Sequence, residues 1–353
     1  MAKLTGCGKI HAGVIVALLA GFFAYTEASA SSITLKYTAA VPATVIYSKG
    51  TQRWADEIAK RTNGRIKIET YFGGSIFKAG EELEGIRNGI VQGGMLGVVY
   101  HRSRLPLHNI TFAIPFAPPS VVMLSKIMYK LYEIPEFAAE VEQYNQKLIY
   151  PGGLLESYDV ISTKPINSLN DFKGKKMATI TNHIPMVTAT GAVPINMPAG
   201  ERYLSMQTGV IDSTLWGIVQ ANSFKFNEVA KNLLLVNFGA AYSGSVTINM
   251  DVWKKIAAQD QKIILDVGKE ANEWASKETD AAVATIIADW KSKGIAVTSL
   301  SESDKRKWGE SVKDVPVKWA KDLDAKGKPA TKILKAFVKA AEDFGYKFPY
   351  GID

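Results

Sequence analysis

Histidine, cysteine and serine paired with lysine are the side chains that most often carry metal or nucleophilic chemistry, and few here are spaced for it. Beyond the first thirty positions the histidines are His101, His108 and His183. No two stand at the i, i+4 spacing that places two imidazoles around a zinc ion on one helix face. Ser75 and Lys78 form an S-x-x-K pair, but the S-D-N and K-T-G segments that accompany it in serine acyl-enzymes are missing, so coincidence explains it better. No G-x-S-x-G, Walker loop or G-x-G-x-x-G occurs. Cys7 is the single cysteine; without it no disulfide, thiolate nucleophile or cysteine metal site can form. A chain this poor in catalytic groups reads as a binder, not an enzyme, with no metal and no cofactor expected.

The elements that would position a binding site alternate. Ile33 to Ala39 and Arg65 to Phe72 have strand character, and between them Ser48 to Arg61 carries apolar residues at helical spacing, closed by Asn63-Gly64. Glu81 to Ile90 reads as a helix and Gly94 to Tyr100 as a buried strand. This β-α-β-α-β order implies a parallel sheet covered by helices. Pro115, Pro118 and Pro119 interrupt it before a helical stretch from Val121 to Tyr144. A second unit starts near Leu155, with strands at Glu156 to Ser162, Lys176 to Thr181, Gly209 to Leu215 and Ser243 to Met250, and a helix at Glu201 to Thr208. Asp260 to Lys293 is one very long helical pattern, broken only weakly at Gly268. The length suggests two domains.

Of the 353 residues 47% are hydrophobic and 22% charged, with a formal charge of +8. The lysines are scattered over helices and do not interleave with aromatics, which argues against nucleic acid as a partner. At the N-terminus, Lys3 and Lys9 precede an uncharged apolar run from Ala12 to Tyr25 and then Ala28-Ser29-Ala30. Positive start, short apolar core and small-residue exit form a cleavable export signal over residues 1–30; the run is short for a membrane span.

Four segments carry a family resemblance. Pro165-Ile166-Asn167-Ser168-Leu169-Asn170-Asp171-Phe172-Lys173-Gly174 resembles a "PI-x-S-x-x-DLKG" motif, Gly191 to Met197 "GA-x-P-x-x-M", Tyr203 to Asp212 "Y-x-A-L-Q-x-G-V-V-DG", and Arg61 to Ile66 "R-T-G-G-R-I". In order and spacing they are similar to the substrate-binding proteins of tripartite ATP-independent periplasmic (TRAP) transporters, the DctP family. The resemblance implies a two-lobe α/β periplasmic binding protein fold with a ligand cleft and a lobe-spanning helix. It also implies a small-molecule solute and membrane permease subunits as partners. Gly174, Gly209 and Asp212 read as structural, and Met197 and Met206 as core.

The same resemblance exposes a departure. Family members usually place an arginine soon after "DLKG", where its planar fork grips a ligand carboxylate. Here Ala178 stands at that position, Tyr158 replaces a second arginine on the preceding strand, and no arginine lies between Arg104 and Arg202. Lys176, two residues before Ala178 on one strand face, is the remaining basic candidate. Trp216, four residues after Asp212, falls where a polar ligand contact is usual. Glu156 and Tyr158, two apart, would share a strand face. Tyr47 and Phe72 stand at strand-to-helix loops, where open α/β sheets bind ligands.

The expectation is therefore a monomer with residues 31–155 and 243–281 in one lobe and 156–242 and 282–353 in the other. Its ligand residues would be Trp216, Tyr158, Glu156, Ala178, Lys176, Tyr47 and Phe72. The solute would be an amine or a neutral polar molecule, with Glu156 as counter-charge to an amine; a carboxylate held by Lys176, or a sensor or enzyme on the same fold, is the alternative.

Overall fold

The computed structural model describes residues 32–352, so the export signal expected at residues 1–30 lies outside the described residues. Eleven strands are described: β1 Ile33–Thr38, β2 Ile66–Tyr71, β3 Gly93–Leu96, β4 Gln146–Leu155, β5 Tyr158–Ser162, β6 Lys176–Thr179, β7 Val193–Asn196, β8 Ser213–Gly217, β9 Asn232–Leu235, β10 Ala241–Asn249 and β11 Ala296–Ser299. They form two sheets, ordered β2-β1-β3-β10-β4 and β11-β9-β5-β8-β6-β7.

The first sheet grows from local pattern. β1 lies parallel to β2, Ile33 beside Ile66 and Leu35 beside Ile68, and parallel to β3. The connecting helix Ile46–Arg61 buries Ser48, Thr51, Trp54, Ala55 and Ile58, a three-and-four spacing that lays one face on the sheet. Asn63 and Gly64 stop it with positive φ, and the Gly64 N–H closes back on Ala59 O at 2.8 Å. The 3₁₀ turn Val98–Tyr100 ends the stretch read as a strand, and the helical stretch after the prolines divides into Val121–Tyr132 and Pro135–Glu142.

The chain crosses between the sheets repeatedly. β4 of the first sheet leads almost directly into β5 of the second, and β9 of the second into β10 of the first. The helix Ala258–Ser292 makes a further crossing. Near its start Ile264, Val267 and Ala271 pack with Trp54 and Tyr150; near its end Trp290 is enclosed with Phe226 and Met206 and donates to Asn222 Oδ1 at 2.9 Å. Gly268 does not break it. A Cβ there would stand 2.8 Å from the Tyr150 ring, so the glycine is the point of closest approach to the sheet. Asp280 ties the helix to the first half by accepting from Ser120 Oγ at 2.7 Å and Val121 N at 2.8 Å, at the start of Val121–Tyr132.

The C-terminal remainder differs from the expectation for residues 282–353. β11 joins the second sheet and Trp308 packs against Phe116, Phe172 and Phe238. The helices Asp314–Asp324 and Ala330–Asp343 instead put Ala320, Ile333 and Phe337 into the core around Leu124 and Met128, on the first half. Their apolar faces complete a helical layer that Val121–Tyr132 leaves open on its own.

Candidate functional site

The ends of β5, β6 and β8 come together on the second sheet. Tyr158 pairs with Gly217 and Asp159 with Trp216 across the antiparallel β5–β8 ladder. The Tyr158 and Trp216 rings lie 5.6 Å apart, and Tyr158 meets His183 edge-on at 5.4 Å. Both ends of this aromatic row hold unused polarity: Trp216 Nε1 and His183 Nδ1 are buried without a hydrogen-bond partner. Burial, together with the positive charges of Arg102 and Arg202, pulls the His183 pKa down to about 3, so the imidazole is neutral.

Ala178 is fully buried in the core beneath these residues. The space beside it holds Arg202, which enters from the helix Ala199–Gln207 and is 0% exposed. Its Nε donates to Met197 O at 3.0 Å, Nη2 to Met197 O at 2.7 Å and Thr179 O at 3.3 Å, and Nη1 to Thr214 Oγ1 at 2.9 Å. Thr214 Oγ1 in turn donates to Ala178 O at 3.3 Å, so the guanidinium is one hydroxyl away from the alanine. It lies 4.0 Å from the centroid of Trp216. All four acceptor bonds are to neutral oxygens, and no carboxylate among the described residues pairs with it. Burial lowers its pKa to about 10, opposed by Tyr158, which leaves the group charged at neutral pH. Sequence reasoning missed Arg202 because it sought the arginine on the strand; the usable signal was that the first arginine after Arg104 opens the helix leading to β8.

Glu156 is not on a strand. It occupies the junction of β4 and β5, is 3% exposed, and turns beneath the helix Ile218–Ser223. Its Oε1 accepts the N–H of Val219 at 3.1 Å and of Gln220 at 3.2 Å. Gly217 is obligatory here because a Cβ would overlap that oxygen. Burial raises the Glu156 pKa, and the backbone donors counter it. The shared strand face expected for Glu156 and Tyr158 is therefore replaced by a bend that sends the carboxylate under a helix end.

From the start of the helix Ile46–Arg61, Tyr47 comes within electrostatic reach of Glu156 and of Tyr100, and burial raises its pKa. Tyr100, 61% exposed at the carboxyl end of β3, was not singled out in the sequence. Arg102 follows it and is exposed. Phe72 packs against the core of the first sheet, around Leu35 and Trp54. Lys176 is exposed and its N–H bonds the Asp212 carboxylate at 2.9 Å, which makes Asp212 a structural brace. Among the described residues no group of His, Asp or Glu has the arrangement to hold a metal ion, and no helix is long and apolar enough to cross a membrane.

Comparison with known proteins agrees with this architecture. A family model described as "Bacterial extracellular solute-binding protein, family 7" (DctP) matches residues 38–322. A solute-binding protein of Albidiferax ferrireducens is 26% identical, covering 80% of this chain and 83% of its own. The ectoine-binding periplasmic protein TeaA of Halomonas elongata is 26% identical over 79% of this chain and 83% of that protein. A TRAP periplasmic solute-binding protein from Desulfovibrio salexigens, solved as an open complex, superposes with a TM-score of 0.81 at 22% identity, covering 89% of this chain and 97% of that chain. The two-lobe α/β fold and its long helix are those of these proteins.

Proposed function

Because this chain belongs to the bacterial extracellular solute-binding proteins of family 7, we propose that it captures one small polar solute between its two sheets in the periplasm and passes it to the membrane permease of a TRAP transporter. The observation that carries the reading is the family match over residues 38–322, which takes in ten of the eleven described strands and the whole long helix. Cleavage after residue 30 and a monomeric state belong to the same proposal.

The solute we infer is neutral or zwitterionic, held on aromatic faces and by single hydrogen bonds. Arg202 offers no open fork to a carboxylate: its donors are engaged by Met197, Thr179 and Thr214, and Trp216 covers its face. A simple amine fares worse than the sequence suggests. The cation over Trp216 is the chain's own arginine, and the counter-charge expected of Glu156 already accepts two backbone N–H groups. Trp216 and Tyr158 remain the ligand platform, with Tyr47 on the helix Ile46–Arg61 coming near Glu156 from the first half.

Calorimetry on the purified protein tests this with neutral polyols, ectoine, ethanolamine and succinate. Neutral or zwitterionic solutes should bind saturably without turnover, and Trp216→Ala should weaken them by about tenfold. Tight succinate binding unaffected by Trp216→Ala overturns the ligand class, and chemical conversion of a bound solute overturns the transport role.

A further inference from the structure

A buried guanidinium without an anion is costly, because its hydration is lost and neutral carbonyls replace only part of it. Arg202 is in this position, wholly enclosed, with hydrogen bonds to Met197 O, Thr179 O and Thr214 Oγ1. Something must recommend a charge there over methionine or leucine. What it touches is the indole of Trp216, 4.0 Å away, and Trp216 is the partly exposed member of the aromatic row.

A planar guanidinium stacked on an indole does two things. It fixes the ring, because both are flat and the four hydrogen bonds leave the guanidinium one orientation. It also gives the ring's surroundings a positive potential, which penetrates far in a poorly solvated site. The indole N–H, buried and unpartnered, then stands as a donor in a positive field. Glu156 and Asp159 are the nearby carboxylates, and neither pairs with the guanidinium: Glu156 Oε1 accepts from the amides of Val219 and Gln220, and Asp159 Oδ1 from those of Val236 and Asn237.

We propose that Arg202 is the positioning and charge-selecting residue of the solute site: it holds Trp216 in place and makes the platform reject a cationic group while accepting a hydroxyl, carbonyl or carboxylate oxygen. This rests on the solute-binding reading and deepens it, since it states which end of a zwitterion faces Trp216. Arg202 does not touch the solute; it acts through the indole.

The test needs no solute, so it can fail while the solute-binding reading stands. Trp216 fluorescence, isolated as the difference from Trp216→Phe, is quenched with iodide, caesium and acrylamide at matched ionic strength, and each quenching constant is divided by that of free N-acetyltryptophanamide, because iodide is intrinsically the stronger quencher of indole. So normalised, iodide should quench the Trp216 component more than caesium, by about threefold for one charge at this range. In Arg202→Met the ratio should fall towards one; in Arg202→Lys it should persist while acrylamide quenching rises, because the charge stays and the flat stack is lost. Arg102→Met separates the exposed arginine's share and should leave most of the preference. Equal normalised quenching by iodide and caesium in the wild-type protein overturns the proposal whether or not the variants fold. An unchanged ratio in folded Arg202→Met overturns it too, as does loss of the preference in Arg102→Met alone.

Discussion

Asp159 shows how one side chain at the platform shapes the whole chain's response to pH. Both backbone N–H groups it binds, from Val236 and Asn237, go to Oδ1 at 2.9 Å, and this holds Asn237 in its left-handed turn. Burial raises its pKa from 3.8 to about 7. The folded state thus keeps a proton that the unfolded chain releases, and Asp159's contribution to stability falls as pH rises from about 4 to about 7. His183 opposes it. Its pKa is about 3 when folded and 6.5 when free, so its contribution rises with pH over nearly the same window. At roughly 1.4 kcal/mol per unit of displacement each amounts to a few kcal/mol, and in the parent protein they offset. Asp159→Asn keeps an oxygen for both N–H groups and removes one side of the balance. Urea unfolding of this variant should show stability climbing with pH between 4 and 6.5 more steeply than in the parent. His183→Asn should show the reverse slope, and parallel profiles for all three proteins would refute both assignments.

The long helix is held by shape more than by polarity. Gly268 lets it approach Tyr150, whose ring is itself wedged edge-on against Trp54 at 5.8 Å. Gly268→Val should therefore cost about 1–3 kcal/mol from overpacking, against a smaller gain in helix propensity; a melting temperature at or above the parent's would contradict this. The helix was legible in the sequence because amphipathic spacing persists over its whole length. β1, β2 and the parallel character of the β-α-β-α-β segment were legible too, from alternation and from the Asn63-Gly64 stop. The edge strands β7 and β11 were not: each has four mostly unburied residues, and β7 carries Pro194, a residue tolerated only where a ladder is open. In the site, the loss of the strand arginine at Ala178 was visible, whereas Arg202 was not, because its approach depends on how a helix crosses the sheet. The side-by-side placement of Tyr158 and Trp216 could not be read from spacing, since it depends on the β5–β8 pairing, and Glu156 was aimed wrongly because a chain bend between β4 and β5 leaves no mark in residue spacing.

At the scale of the molecule, the two crossings between strands, the long helix and the return from Trp308 to the helix Asp314–Asp324 connect the halves at several points. Such joints allow closure by small rotations at element ends while each core stays packed. Small-angle scattering should show the radius of gyration fall when a solute found by calorimetry saturates the protein; an unchanged profile at saturation would rule out hinged capture. The order of the strands has another consequence, for the chain as it is being made. β3 sits beside β1 early, but its other neighbour is β10, with Gly93 opposite Ile248. Until position 249 has been synthesised, the first sheet keeps a bare edge at β3, and the layer over Val121–Tyr132 waits still longer for Ala330–Asp343. The half that begins first is thus the last to finish. A chain built in this order cannot close its first core until it is nearly whole, so the long-range contacts that complete that core come last.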